Sequence, residues 1–178
     1  MWLLTHFARS AERRRDWQAA LDRWRGVRTR WPDFDEGHCG EANALRMLGR
    51  AEEAGSLLKS TLERLPDQRR IWFEYGLVAE QLDDWSEAER IWRALLQLDD
   101  MNWRGYTSLF EALYRRKAFD DADALLVSMV LRFAEAPAML AIVAEMAMRP
   151  HISIGDRTLD ELDRLLDAAV ANLDTSPE

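Results

Sequence analysis

Residues 69–100 read RRIWFEYGLVAEQLDDWSEAERIWRALLQLDD. Between Arg69 and Leu82, the residues Trp72, Tyr75, Gly76 and Ala79 recur at the three- and four-residue steps of one helix face. Asp83-Asp84 break that spacing and bring carboxylates that can cap a following helix. From Trp85 to Leu98 a second stripe runs through Trp85, Ala88, Ile91, Trp92 and Leu95, and Asp99-Asp100 close the stretch. Two short amphipathic helices cannot bury both stripes by themselves, so the pair requires neighbours of the same kind.

Those neighbours are present at a period of 34 residues. Ala20, Ala54, Ala88 and Ala122 are each 34 apart. Four residues after each stands Trp24, Leu58, Trp92 or Leu126, and three before each stands Trp17, Ala51, Trp85 or Phe119. Gly49 follows Leu48 at the inner turn of the second unit, where a helix stop uses the left-handed backbone that glycine tolerates. Pro32 and Pro66 fall twelve residues after Ala20 and Ala54, ending one helix and fixing φ ahead of the next. A period in this range marks a stacked repeat array, in which aromatic and small residues at fixed offsets serve packing first.

This pattern resembles the tetratricopeptide repeat, which has a bulky residue at position 4, a small one at 8, an aromatic at 17, Ala at 20, a bulky residue at 24 and Pro at 32. Here position 4 is Leu4, His38, Trp72 and Tyr106; position 8 is Ala8, Ala42, Gly76 and Phe110; position 20 is alanine each time. Departures are Phe110 at a small position, Asp100 and Ala134 in place of proline, and Val27, Thr61, Leu95 and Met129 where the family often has Ala. They suggest divergent units with locally wider helix packing. The resemblance implies an all-α, right-handed superhelical α-solenoid with a concave groove lined by the first helix of each pair. Residues 1–150 would hold four and a half repeats, at about 1–34, 35–68, 69–102, 103–136 and 137–150. Residues 151–178 would then form a C-terminal capping helix and short tail. His151 to Gly155 interrupts the pattern, Thr158 and Glu161 read as a capping box, and Leu159, Leu162, Leu165, Leu166, Ala169 and Leu173 form the apolar stripe over 156–173. Asp160, Asp163, Arg164 and Asp167 mark its outer side.

Composition narrows the class. At 48% hydrophobic and 31% charged residues, with no apolar run long enough to cross a membrane, the chain reads as a soluble helical domain. Met1 to Leu4 is too short for a secretory signal, and the single Cys39 allows no internal disulfide, so the expected location is the cytoplasm. The net charge of −8 is unevenly spread: residues 1–30 carry a balance of +5, and residues 118–178 a balance of −8. Such asymmetry can orient a partner or favour head-to-tail association. The N-terminal unit starts without a cap, which leaves Trp2, Leu3 and Phe7 as either a self-association surface or a frayed end.

No catalytic constellation emerges, and the expectation is a protein that is not an enzyme and needs no cofactor. His6, His38 and His151 are scattered, and His38 beside Cys39 reads as a helix-surface or groove pair rather than a metal site. Gly37 and Gly40 lie within a helix without a preceding strand, so they form no phosphate loop. The paired acids Asp83-Asp84, Asp99-Asp100 and Asp120-Asp121 read as helix-start caps. Of the eight tryptophans, Trp17, Trp24, Trp72, Trp85 and Trp92 take core positions, and Trp2, Trp31 and Trp103 are left as exposed candidates. The acidic balance argues against nucleic acid, with Arg9, Arg13, Arg14 and Arg15 the one basic cluster.

The groove is the better place for function. Ligand-facing positions of the resembled family fall here on Arg9 and Arg13; Asn43 and Arg46; Arg70, Phe73 and Leu77; and Arg104, Thr107, Tyr114 and Arg115. Arginine forks beside Phe73 and Leu77 suit a protein or peptide partner with acidic and apolar groups. The resemblance does not extend to the family's carboxylate clamp: Asn43 matches its asparagine, but Cys39 and Ser108 replace a lysine and an arginine. The resulting expectation is a non-catalytic interaction module, a scaffold or adaptor, using Arg9, Asn43, Arg46, Arg70, Phe73, Leu77, Arg104 and Tyr114. Its alternatives are an accessory module of a bacterial glycan transferase system and a secretion chaperone.

Overall fold

A computed structural model describes residues 2–174, with side chains as far as Ala168 in the last helix. The described residues form ten α-helices and no strand: α1 Trp2–Arg13, α2 Trp17–Arg30, α3 Asp35–Met47, α4 Ala51–Arg64, α5 Arg69–Gln81, α6 Trp85–Leu98, α7 Trp103–Arg115, α8 Phe119–Arg132, α9 Pro137–Ala147 and α10 Asp156–Asp174. The even-numbered helices α2, α4, α6 and α8 begin and end at intervals of 34 residues, as the alanine series requires. The chain divides into two compact units, residues 2–105 and 106–174, with the division inside α7.

One turn explains the regularity. Arg15, Gly49, Asp83 and Lys117 all have positive φ, at 58°, 76°, 55° and 60°. Each is flanked by the same bonds. The N–H one residue later reaches the carbonyl five residues back (Asp16 to Ala11, Arg50 to Leu45, Asp84 to Ala79, Ala118 to Leu113) at 2.9–3.0 Å. This closure satisfies the helix-end carbonyls and reverses the chain, which is the Schellman arrangement. Only Gly49 adopts the left-handed backbone without steric strain; the other three cost about 1 kcal/mol each. His151, 34 residues beyond Lys117, is again left-handed at φ 68°. The left-handed residue thus recurs at His151, although the closing bond of the earlier turns does not: the Ile152 N–H reaches the Arg149 carbonyl at 3.2 Å. The register is lost just after it, where Gly155 at φ 78° is followed by a helix starting at Asp156.

Unit one, residues 2–105, packs α1 through α6 in order, each on the next, with α3 also directly on α5. Its core holds Leu21, Trp24, Leu58, Ile71, Ile91, Trp92 and Leu95, all essentially free of solvent. Two indoles set the helix spacing. A Cβ on Gly76 would lie 2.4 Å from the Trp92 ring, and one on Gly40 only 2.3 Å from the Trp24 ring. Both indole N–H groups are satisfied at the same offset: Trp24 Nε1 donates to Glu12 at 2.8 Å, and Trp92 Nε1 to Glu80 at 2.9 Å. Trp17, Trp72 and Trp85 are half-buried rather than fully enclosed; Trp2 and Trp103 are exposed and Trp31 is half-buried.

Linking turns are pinned in a way the sequence did not disclose. Trp72 Nε1 donates to the carbonyl of Pro66 at 2.7 Å, and His38 Nε2 to that of Pro32 at 2.7 Å, six residues back in both cases. His38 is therefore not the surface or groove residue expected. It is 2% exposed, with Nδ1 facing the Thr61 hydroxyl at 2.9 Å. Burial, joined by the charges of Arg28 and Arg64, holds its imidazole below the usual value, against the opposing pull of the Pro32 carbonyl. Nearby, the buried Glu41 is held by Arg25 at 3.1 Å and Arg28 at 2.5 Å.

Unit two, residues 106–174, packs α8 on α9 and α10 on both. Phe110, Leu113, Leu126, Met129, Leu140 and Val143 form its core. Tyr106 meets Phe133 edge-on at 5.4 Å. Leu162 of α10 is buried, Leu165 and Leu166 are half-buried, and Leu159 is 42% exposed, so the apolar stripe is only partly covered; Ala169 and Leu173 lie outside the described side chains. The capping box does not form: α10 starts before Thr158, whose N–H bonds the Gly155 carbonyl. The acid pairs also divide by role. Asp84 caps α6 by accepting from the Glu87 N–H, Asp99 follows the end of α6, and Asp120 and Asp121 stand in the first turn of α8 without capping it. Asn102 supplies a cap instead, its Oδ1 accepting from the Gly105 N–H at 2.9 Å.

Candidate functional site on the first-helix face

Within unit one, α1, α3 and α5 carry most of the residues expected to bind a partner. Their side chains meet across the face. Glu36, at the start of α3, accepts from Arg9 Nε of α1 at 2.8 Å and lies 3.8 Å from Arg70 Nη1 of α5. Asn43 Oδ1 accepts from Arg46 Nη2 at 3.1 Å, both on α3. Gln81 of α5 donates to the Arg46 carbonyl at 3.2 Å. Phe73 stands edge-on to Trp92 at 5.5 Å, with the Arg104 guanidinium 5.9 Å from its ring centre. Leu77, one turn on from Phe73, is half-buried.

Arg46 is the odd member. Its Nε is buried without a hydrogen-bond partner, the one such side-chain nitrogen or oxygen among the described residues. A guanidinium N–H in that state is a donor that has no acceptor within the described residues. Glu74 shares the neighbourhood: burial pushes its carboxyl up, while Arg46 and Arg70 pull it back and Glu12 adds to the rise. Cys39 lies beneath, buried, with its thiol pushed far up by the same desolvation and by Glu74.

The arginines do not stand as a bare cationic surface. A pocket of about 660 Å³ opens beside them, lined by Asp35, Arg69, Arg70, Phe73, Glu74 and Asp99 among others, with more acids than bases. Acids on the same face were also missed in the sequence although the signal was there. Position 2 of the repeat, which selects Arg70 and Arg104, also selects Glu36, and position 12, which selects Arg46 and Tyr114, also selects Glu12 and Glu80; acids on a helix face look like solvated charges until a partner helix is placed opposite.

Tyr114 belongs to unit two. There it meets Phe119 at 5.7 Å and Arg149 at 5.2 Å, while Arg149 also donates to Glu111 at 2.6 Å. Arg13 and Arg115 are exposed, the latter donating to Glu111 at 2.6 Å, and Thr107 is half-buried. No group of three or more metal-binding side chains occurs among the described residues, and no described helix is long and apolar enough to cross a membrane.

No protein-family model and no curated protein matches the sequence. Solved structures do match over nearly its whole length. MamA from Desulfovibrio magneticus RS-1 superposes with a TM-score of 0.69 at 15% identity, covering 95% of this chain and 94% of that one. A thermophilic tetratricopeptide-repeat protein of Thermus thermophilus gives 0.68 at 20% identity, covering 82% and 80%. A putative kinesin light chain of Podospora anserina, with nearly identical repeats of this type, gives 0.72 at 14% identity over 97% and 96%. Nine helices at a 34-residue period, successive pairs joined by the same left-handed turn and matched over 82–97% of the chain by these structures, give the chain the tetratricopeptide-repeat fold, an all-α solenoid.

Proposed function

We propose that this chain is a non-catalytic protein–protein interaction module, a scaffold or adaptor, that takes a segment of a partner protein on the face formed by α1, α3 and α5. The observation that carries this reading is the unsatisfied Nε of Arg46. Because that nitrogen is itself buried, the half-buried Arg46 side chain must turn outward for a carboxylate or backbone carbonyl of the partner to satisfy it, and Phe73 with Leu77 receives an apolar side chain one helical turn away. Arg9 and Arg70, already committed to Glu36, hold the face in shape and tune its charge; Arg104 and Asn43 orient their neighbours. Such an arrangement selects a peptide with an acidic group beside an apolar anchor, since an unpaired N–H rejects any ligand lacking an acceptor.

The test is affinity capture from source lysate with the wild type, Arg46→Met and Phe73→Ala. The methionine keeps the stem and removes the donor. The expected result is at least a tenfold loss of a specific partner in Arg46→Met, with helical circular dichroism unchanged; tenfold corresponds to about 1.4 kcal/mol, within the range for one charge-assisted hydrogen bond. A partner held equally by all three proteins would place recognition on another face.

A further inference from the structure

The α1 end of unit one exposes an ordered apolar cluster. Trp2, Leu3 and Phe7 are 73%, 72% and 53% exposed. They are not loose: Trp2 stacks on His6 at 5.1 Å, and the Arg23 guanidinium covers the Phe7 ring at 3.5 Å while donating to the Phe7 carbonyl. Arg13 and Arg14, at the other end of α1, are exposed as well, within a stretch whose charge balance is +5 over residues 1–30. An exposed aromatic patch that carries the Arg23 guanidinium is suited to being covered.

The α8–α10 end of unit two presents the complement. A pocket of about 740 Å³ is lined by the apolar Val127, Val130 and Leu131 and by Arg157, Asp160, Glu161 and Arg164. Leu131 is 73% exposed. Asp156, Asp163 and Asp167 of α10 are exposed too, and that helix carries six acids against two arginines, in a stretch whose balance is −8 over residues 118–178.

We propose that the α1 end of one copy docks, head to tail, on the α8–α10 end of a second copy. Charge selects this pairing. Two α1 ends brought together would set positive against positive, since residues 1–30 keep a balance of +3 after Glu36 and Glu41 are counted with their partners Arg9, Arg25 and Arg28, whereas head to tail sets that stretch against the acidic α10. The apolar anchors fill the pocket and the opposite charges fix which ends meet. A contact of this heterologous kind leaves one α1 end and one α8–α10 end unfilled on every open assembly, so it propagates into filaments, or into rings where it closes.

Sedimentation velocity on the full chain tests it with Phe7→Glu, Leu131→Glu and Arg46→Met. All three changes are on solvent-reached side chains, and circular dichroism checks their folding. The wild type is expected to grow in mass with concentration and to associate about tenfold more weakly at high salt, where surface charges are screened. Phe7→Glu and Leu131→Glu are each expected to stay monomeric. Mixed one to one, they should give a dimer that grows no further, because each supplies the end the other lacks. Arg46→Met should assemble like the wild type, which separates this contact from partner binding on the α1–α3–α5 face. A wild type that is monomeric at every concentration overturns the proposal. So does a Leu131→Glu protein that still assembles, which would mean α1 pairs with α1. Wild type that stays monomeric yet pellets with anionic phospholipid vesicles through Phe7 would assign the patch to a lipid surface instead.

Discussion

In the first and third helix pairs, a buried indole at the core donates its N–H to a glutamate twelve residues earlier, Trp24 to Glu12 and Trp92 to Glu80. In the second and fourth pairs, Leu58 and Leu126 stand in the indole's place, and the residue twelve earlier is Arg46 or Tyr114. Leucine has no donor to satisfy, so the earlier position is released from structural duty. Both released residues are among those expected to touch a partner, and one of them carries the unsatisfied Nε. The array thus alternates between units whose indole engages that position and units in which it makes other contacts, Arg46 with Asn43 and Tyr114 with Phe119 and Arg149.

The strongest way to break this contrast is to crowd an indole-locked unit. Gly76→Ala places a Cβ about where the Trp92 ring already is, and overpacking of this kind costs about 1–3 kcal/mol, read from the urea midpoint. Adding Trp92→Leu converts the third unit toward the leucine type. The double variant should then lose less than the sum of the single losses, because the two changes share one volume. Strictly additive losses would mean the ring moves aside and the glycine was not needed for it.

A second probe compares His38 with Trp72, which pin the same kind of linking turn by different rings. Only the imidazole titrates. Because burial holds His38 below the usual value of about 6.5, the unfolded chain takes up a proton that the folded one resists. Stability should be level above that pH as far as this group is concerned, and fall as pH drops from it toward the depressed folded value. His38→Gln should flatten that slope in thermal melts across the window, while Trp72→Phe should leave it intact; an unchanged slope in His38→Gln would assign the effect to other groups.

The smallest effect concerns the shared left-handed turn. Arg15→Gly relieves backbone strain and should stabilise by about 0.5–1 kcal/mol, whereas Gly49→Ala should destabilise by about 1 kcal/mol. Equal and small effects at both sites would show that the turn tolerates side chains better than its dihedral angles imply.

Much of the array was legible in the chain because local rules agree with one another. The alanine series, the helix spans from Trp85 to Leu98 and its 34-residue echoes, and the glycine stop at Gly49 all depend on residues within one turn of each other. Legibility failed where a side chain's partner lies on another element. His38 looked like a surface residue because nothing nearby in sequence reveals the Thr61 hydroxyl, 23 residues away, that closes its cavity. Thr158 looked like a cap because Gly155, which turns the chain earlier, breaks the register only in three dimensions.

By itself, then, the sequence determined the helices, their period and the identity of the packing residues, since hydrophobic periodicity and turn chemistry act over a few residues. Tertiary structure alone decided which charges are spent. Glu36 claims Arg9 and Arg70 across three helices, Glu41 takes Arg25 and Arg28 into the interior, and Arg46 is left with a donor and no acceptor. Ion pairing and desolvation depend on distances between elements, and one sequence offers many such pairings until the helices are stacked.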